Sequence, residues 1–493
     1  MLYLEQKFSF IIHLCQFKKR PKERNTYRFF LLLNINMTDP LVPLIVFAFV
    51  IILILGGFSK RVASNRFLKY IFDYGSAPLI GVVILLITSS INLNVIFEGI
   101  IGTDRIQPYG ILILFMSLAY VCISIDHTGF FEYLALRAAK GAGRSGKKLF
   151  IYFFFVSSFL TIFTSNDIVI LTLTPIICYF AKYTKADPVP YIIGQFFAAN
   201  IWSIMLYIGN PTNIIVAQAY HLPFIGYTAW MFFPTVTAGL SGLLLLYVLF
   251  RKRIPTYLET PVIDPRSAIK DKFGAIFGVI SLAACLVLLS TASWLNIQLW
   301  IITLFFAILM LIRDIIHDMN NKMKNNNQRF PSLLYANRRM PWKIVPFIIG
   351  MFILVGALLY SGWVDLIASA ISNASTNIFM AVFLIGIVSA LTCNVMNNQP
   401  MTILFTNILL NSSLSSSLLV GGMFALIMGS NFGANFTLIG ALAGIMWFKI
   451  IQNQDVTISF KQFSKYGFLV MPLVVLLSYG VLVLELLFWP PLL

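Results

Sequence analysis

Thr164-Ser165-Asn166-Asp167 interrupts an apolar run that otherwise extends from residue 149 to residue 181, and Pro175 is read as ending the polar-to-apolar return. A second apolar run, 378 to 410, is interrupted in the same manner by Asn394-Val-Met-Asn397-Asn398-Gln399-Pro400. A helix needs about 20 apolar residues to cross a hydrocarbon core of about 30 Å. Each interrupted run is longer than one crossing and carries its polar cluster near the middle. We read both as re-entrant hairpins that enter and leave on one side, with their tips at the bilayer centre. Irregular backbone is tolerated there only inside protein or against a wet cavity.

Working outward, ten further apolar runs surround the hairpins, at roughly 41–58, 77–93, 109–126, 190–220, 228–250, 273–290, 298–312, 344–360, 418–448 and 467–488. With both hairpins re-entrant, the loops at 59–76, 127–148, 182–189, 251–272, 313–343 and 449–466 share one face. Those loops hold 27 of the 35 Lys and Arg residues, Arg105 stands alone on the other face, and the remaining seven precede Met37. If either interrupted run crossed the membrane fully, this asymmetry would be lost. The positive-inside rule makes the basic face cytoplasmic and the chain a multi-pass protein of the plasma membrane. The first run then heads inward, and the one opening at Phe273 heads outward. The fold expected is an all-α polytopic membrane protein of two inverted-topology repeats, 37–253 and 273–493, joined by a cytoplasmic linker at 254–272. Each repeat has a re-entrant hairpin and a discontinuous helix, the architecture of secondary transporters.

Composition excludes a soluble protein. Hydrophobic residues make up 59% of the 493 and charged ones 11%, with a mean hydropathy of +0.86. Soluble domains carry about a quarter charged residues. The net charge of +17 is dispersed over loops and gives no nucleic-acid surface. Cys15, Cys122, Cys178, Cys285 and Cys393 lie far apart and read as small apolar fillers. Cys393, beside the second hairpin tip, is the one thiol placed to meet a thiophilic solute. The histidines His13, His127, His221 and His317 are scattered, and no nucleophile and base pair, HExxH motif or cofactor loop is present, so an enzyme is not expected. Gly141 to Lys148 nearly matches a phosphate-binding loop, but Lys148 stands where Ser or Thr should hold magnesium and no strand precedes it. Residues 1–36 are expected to be a basic extension, with Met37 the expected start. The Asn-rich stretch 320–327, within the loop 313–343, is expected to be a solvated linker, and Glu485 is expected to snorkel from the last helix.

An Asp at the bilayer centre costs several kcal/mol unless it lines a wet or protein-packed cavity. Asp167 is the one carboxylate at any of the four breaks and the candidate coupling residue for a proton or cation. Its cluster also reads as a helix N-cap, a compatible role, since helix N-termini attract anionic groups. The first broken span is Ile208-Gly209-Asn210-Pro211-Thr212-Asn213-Ile214, where Gly relaxes the backbone and Pro removes a donor. The second is Gly429-Ser430-Asn431-Phe432-Gly433-Ala434-Asn435-Phe436-Thr437-Leu438-Ile439-Gly440. The candidate substrate and ion ligands are Ser165, Asn166 and Asp167; Gly209, Asn210, Pro211, Thr212 and Asn213; Asn397, Asn398, Gln399 and Pro400; and Ser430, Asn431, Asn435 and Thr437. Freed carbonyls at the broken helices can hold Na+. No other metal and no cofactor is expected, the coupling ion being H+ or Na+.

Four segments carry a family resemblance: Gly129-Phe-Phe-Glu-Tyr-Leu-Ala-Leu-Arg-Ala-Ala-Lys140, Ser165-Asn-Asp-Ile-Val-Ile-Leu-Thr-Leu-Thr-Pro175, Asn397-Asn-Gln-Pro400, and Gly429 through Trp447. In order and spacing they resemble the arsenical pump membrane protein (ArsB) branch of the ion transporter superfamily, which also contains sodium-coupled dicarboxylate and citrate carriers. The likeness covers nearly all of 41–490. It implies export of arsenite or antimonite driven by the proton gradient, in some members with a separate ATPase. It also implies that Asn166-Asp167 and Asn397-Asn398 form paired tips around the substrate. Gly209-Asn-Pro-Thr-Asn213 departs from the arsenite pumps, whose corresponding stretch is of Ser-Asn-Leu-Val-Asn type, and is closer to the anion carriers.

The expected function is therefore proton-coupled efflux of arsenite, antimonite or a similar small oxyacid by alternating access. The alternatives are a sodium-coupled di- or tricarboxylate symporter and a sodium/proton antiporter. Sites rich in amides and hydroxyls, without Lys or Arg, suit a neutral hydroxylated solute. The partners expected are the lipid bilayer, a small inorganic oxyacid or organic anion, a cytoplasmic ATPase subunit docked on the basic loops, and a second copy in a homodimer.

Overall fold

The computed structural model describes residues 39–56, 73–103, 105–259, 264–324 and 331–488. The N-terminal stretch 1–36 with His13 and Cys15, Met37, most of loop 59–76 and Asn325–Asn327 lie outside the described residues. The described chain is helical throughout, with no strand among the described residues.

The first half runs through α1 (Leu41–Gly56), α2 (Ala77–Ile87), α3 (Leu93–Ile101), α4 (Pro108–His127), α5 (Phe130–Ala142), α6 (Gly146–Phe163), α7 (Asn166–Tyr183), α8 (Pro188–Trp202), α9 (Pro211–Ala219) and α10 (Phe224–Phe250). The second runs through α11 (Lys272–Leu295), α12 (Leu299–Lys324), α13 (Pro331–Arg339), α14 (Ile344–Tyr360), α15 (Trp363–Ala374), α16 (Ile378–Met396), α17 (Asn398–Leu410), α18 (Ser416–Phe432), α19 (Leu442–Asn453) and α20 (Phe460–Phe488). Among the described residues nine stretches are helical, long and apolar enough to cross a membrane. The chain is a multi-pass membrane protein.

The elements recur in the same order, and so do their contacts. α6 packs on α8 as α16 packs on α18, and α4 on α12 as α14 on α2. The second hairpin arms are exchanged between halves: α7 packs on α19, and α17 on α9. α10 and α20 pair with each other across the molecule. Such reciprocal exchange is consistent with the expected inverted repeats.

Local chemistry sets the helix boundaries. Ser165, Asn210 and Asn397 each place a side-chain oxygen on a backbone N–H of the following helix, to Ile168 at 3.4 Å, Thr212 at 3.1 Å and Gln399 at 3.5 Å. Three of the polar clusters singled out in the sequence are thus N-caps, which satisfy N–H groups that lipid cannot. Pro175 does not end the return arm but sits inside α7.

Polarity dictates the layering. α8 is buried from Val189 through Trp202 and α18 from Val420 through Phe432, so the amides of both broken spans lie in protein. The outer helices expose large apolar side chains, such as Leu244 of α10, Ile276 of α11 and Leu476 of α20, as lipid contact requires.

Several expectations are corrected. The basic loop 127–148 contains α5, which buries Phe131, Ala135 and Ala139 at a spacing of four and leaves Arg137 and Lys140 exposed. Its counterpart α15 likewise follows a glycine with left-handed φ: Gly129 at 85° and Gly362 at 80°. At Gly129 a side chain would also collide with the carbonyl of Ala268. The loop 313–343 around the Asn-rich stretch is also largely helical, while Asn325–Asn327 of that stretch lie outside the described residues. α12 continues to Lys324, and α13 docks back because buried Asp318 accepts the N–H groups of Ser332 and Leu333 at 3.1 Å. Glu485 does not snorkel clear, since its Oε2 is enclosed without a hydrogen-bond partner.

Candidate substrate and ion site

The two broken spans meet at the centre, but their breaks are displaced from those expected. α8 already ends at Trp202, and a turn and the 3-10 segment Tyr207–Gly209 carry the chain to Asn210. A side chain at Gly209 would collide with the Ser203 carbonyl, so the loop closes only on glycine. In the second half Gly429, Ser430 and Asn431 remain helical, and the break covers 433–441. Asn431 also bonds within its own helix, its Nδ2 donating to the Ile427 carbonyl at 2.8 Å.

Asn431 joins the halves. Its Oδ1 accepts from Asn210 Nδ2 at 2.8 Å and from Ser203 Oγ at 2.8 Å, and its Nδ2 donates to Asn213 Oδ1 at 2.7 Å. Asn213 in turn donates to the Ser203 carbonyl at 2.8 Å, and Ser430 Oγ lies 3.1 Å from Thr212 Oγ1. Beside this knot Asn166 Nδ2 donates to Asn200 Oδ1 at 3.0 Å, and Asn200 Nδ2 to Asn435 Oδ1 at 2.9 Å. All these residues are buried. A dry network is tolerated only when its members are paired, because each unmade bond costs about 1–3 kcal/mol.

The second hairpin tip is tied to its own broken span: the Asn398 N–H donates to the Gly440 carbonyl at 3.0 Å and Asn397 Nδ2 to the Ile439 carbonyl at 3.2 Å. Asn397 adopts a positive φ of 72°, which its short amide tolerates. Thr437 Oγ1 donates to Asn394 Oδ1. Gln399 and Pro400 are buried nearby, Gln399 Oε1 without a partner, and neither is bonded to the first half. Cys393 is fully buried, its Sγ facing the Gly429 and Ser430 carbonyls at 3.8 and 3.7 Å, and it does not line the cavity that reaches Asp167.

Of the candidates, Ser165 and Asp167 line a cavity of about 700 Å³. Asp167 sits in the first turn of α7, where the helix dipole favours a negative charge, and its backbone N–H donates to Asn166 Oδ1 at 2.9 Å. No described residue hydrogen-bonds its carboxylate. The cavity walls are α4, α7 and α19. Its mouth carries the basic residues Arg338, Arg339, Lys343 and Lys449, of which only Lys449 lies near a break in sequence. Two of these are paired: Arg339 Nη1 donates to Asp126 at 2.8 Å and Lys343 Nζ to Asp73 at 2.8 Å. Tyr335 OH also donates to Asp126, at 2.7 Å.

Sequence reading missed Asn200, Ser203 and Asp126, and placed Asn394 in the second hairpin tip without naming it a ligand. For the first two the signal was present, as lone polar residues three apart in the run 190–220. Asp126 gave none, because its partners come from α13.

A family model described as Citrate transporter matches residues 37–422. The chain belongs to that family. The match to the citrate transporter family takes in the first hairpin, the first broken span and the second hairpin tip, and ends before Ser430. Curated relatives share the likeness. An Escherichia coli protein named Arsenical pump membrane protein is 26% identical over 369 residues, 73% of this chain and 83% of its own length. One of the same name from E. coli K12 is 25% identical over 420 residues, covering 84% and 94%. Another, from Yersinia enterocolitica, is 26% identical over 379 residues, covering 76% and 85%. As a member of the citrate transporter family, the chain is a secondary transporter and not an enzyme.

Proposed function

We propose that the chain exports arsenite, antimonite or a similar small hydroxylated acid in exchange for protons, with the basic face cytoplasmic. The observation that carries this reading is the placement of Asp167. A single carboxylate, unclaimed by any described donor, stands at the first hairpin tip, at the junction of an open cavity and a closed amide seam. A carboxylate so placed can hold a proton or release it to a solute-bearing site, and the second tip, Asn397-Asn398-Gln399, has no acid. The names of the curated relatives support the choice of cargo. Ser165 adds a hydroxyl beside Asp167 in the cavity wall, and a neutral trihydroxy acid needs donors and acceptors together.

Everted vesicles with an imposed proton gradient test this directly. Arsenite should accumulate, and Asp167→Asn should lower gradient-driven accumulation by about a hundredfold or more, consistent with loss of a coupling of about 2.7 kcal/mol. Arsenite accumulation in Asp167→Asn equal to that of the unaltered chain would overturn the assignment.

A second reading, sodium-coupled transport of a di- or tricarboxylate, is favoured by one observation, the basic mouth of the cavity. Arg338 and Lys449 there have no acidic partner among the described residues, and the matching family is described by citrate. Labelled citrate uptake that requires sodium and ignores the proton gradient would select it.

A further inference from the structure

We infer that Asn200 is a positioning residue that ties the state of the Asp167 tip to the broken helix of the opposite half. This rests on the reading of Asp167 as the coupling group.

The hydrogen bonds run in one direction. The Asp167 backbone N–H donates to Asn166 Oδ1 at 2.9 Å, Asn166 Nδ2 to Asn200 Oδ1 at 3.0 Å, Asn200 Nδ2 to Asn435 Oδ1 at 2.9 Å, and Asn435 Nδ2 faces Met471 Sδ at 3.6 Å. An amide has an acceptor end and a donor end, so each link fixes the sense of the next. Turning Asn200 over would set an NH2 group against an NH2 group on one side and a carbonyl against a carbonyl on the other. Asn166, Asn200 and Asn435 are 2%, 0% and 0% exposed, so no solvent can repair the mismatch. The chain therefore moves as a unit or breaks.

Asn200 holds the crossing point. Among the bonds that join the two broken spans, the others involve Ser203, Asn210, Thr212 and Asn213, beyond the first tip. Asn200 alone accepts from the tip and donates to the second break. α7 also touches the second half by packing on α19, and that apolar contact is the competing route for the same signal. A contiguous chain of bonds is only a geometric warrant for coupling, so the test must read coupling itself.

The experiment compares gradient-driven accumulation with downhill flux of arsenite in the same vesicles. Asn200→Leu keeps the number of side-chain heavy atoms and the branching at Cγ and removes both bonds; its downhill flux should stay within about threefold, while gradient-driven accumulation falls by about tenfold or more. Asn435→Leu should lower the ratio of driven to downhill flux similarly. The double variant should lower it no further, since both remove one chain. The milder Asn200→Ser, which keeps a donor and an acceptor, should recover part of the ratio. The inference is overturned if Asn200→Leu keeps the ratio, if both fluxes fall together in Asn200→Leu and Asn200→Ser alike, or if the losses multiply in the double variant. If the unaltered chain moves citrate and not arsenite, the proposed cargo fails, and the same comparison made with citrate still decides the role of Asn200. An unaltered chain that moves neither overturns both.

Discussion

Asn431 and Asp167 represent two kinds of polar residue inside a membrane protein. Asn431 uses both ends of its amide to hold three side chains of the other half, and it is wholly buried. Asp167 holds nothing and is held by little. Truncating Asn431 to Ala strands Asn210 Nδ2 among buried residues, at about 1–3 kcal/mol, and leaves Asn213 Oδ1 only the long bond from Thr212 Oγ1 at 3.5 Å. We expect a clear fall in thermal unfolding temperature in detergent, larger than for Asp167→Asn, which leaves the seam intact. Equal melting temperatures for the two variants would contradict the division between structural seam and working carboxylate. At this scale the sequence was legible to the extent that polar residues in apolar runs must be paired or functional. It did not say which was which, because Asn210, Asn213, Ser430 and Asn431 find their partners more than 200 positions away. A residue that reads as a ligand in one dimension proves to be a strut in three.

At the scale of elements, the breaks were legible because Pro and Gly leave backbone groups that must be satisfied. Their extents were not. Tight closure of the loop after Trp202 depends on a glycine meeting the Ser203 carbonyl, and retention of Gly429–Asn431 in α18 depends on packing against α16. α13 is the element that sequence reading lost altogether. Its polar run resembles a solvated loop until Asp318 caps it and Asp126 anchors its far end through Tyr335 and Arg339. Since α13 carries residues of the cavity mouth, its docking shapes access to Asp167. Combining Tyr335→Phe with Arg339→Ala should raise hydrogen exchange across 331–339 by about tenfold, the equivalent of about 1.4 kcal/mol of docking, while leaving α4 protected. Unchanged exchange would mean that capping by Asp318 alone holds the helix.

At the scale of the whole molecule, a cavity of about 700 Å³ opens beside α19 and reaches Asp167, a smaller one of about 310 Å³ lies at the end of α9 by Gln218 and Trp300, and the α9 residue that corresponds to Ile445 is buried. Ile445 of α19 lines the cavity, whereas Ile214 of α9 is 0% exposed. In a chain with its native cysteines replaced, Ile445→Cys should react with a membrane-impermeant thiol reagent at least about tenfold faster than Ile214→Cys, because access limits thiol reactivity. The reaction should occur in everted vesicles and not in right-side-out ones. Labelling from the opposite side would reverse the proposed orientation and with it the expected direction of transport. By itself the sequence determined a polytopic helical protein, two halves of matching order, four polar breaks and a single carboxylate among them. Those properties follow from the cost of exposing charge and backbone to lipid, which acts on every segment independently. Only the tertiary structure decided which break residues bond across the halves, that Asn200 bridges them, and that basic residues of α13 and α19 ring the cavity that reaches Asp167. Each of these depends on side chains brought together from distant parts of the chain, where local hydropathy carries no information.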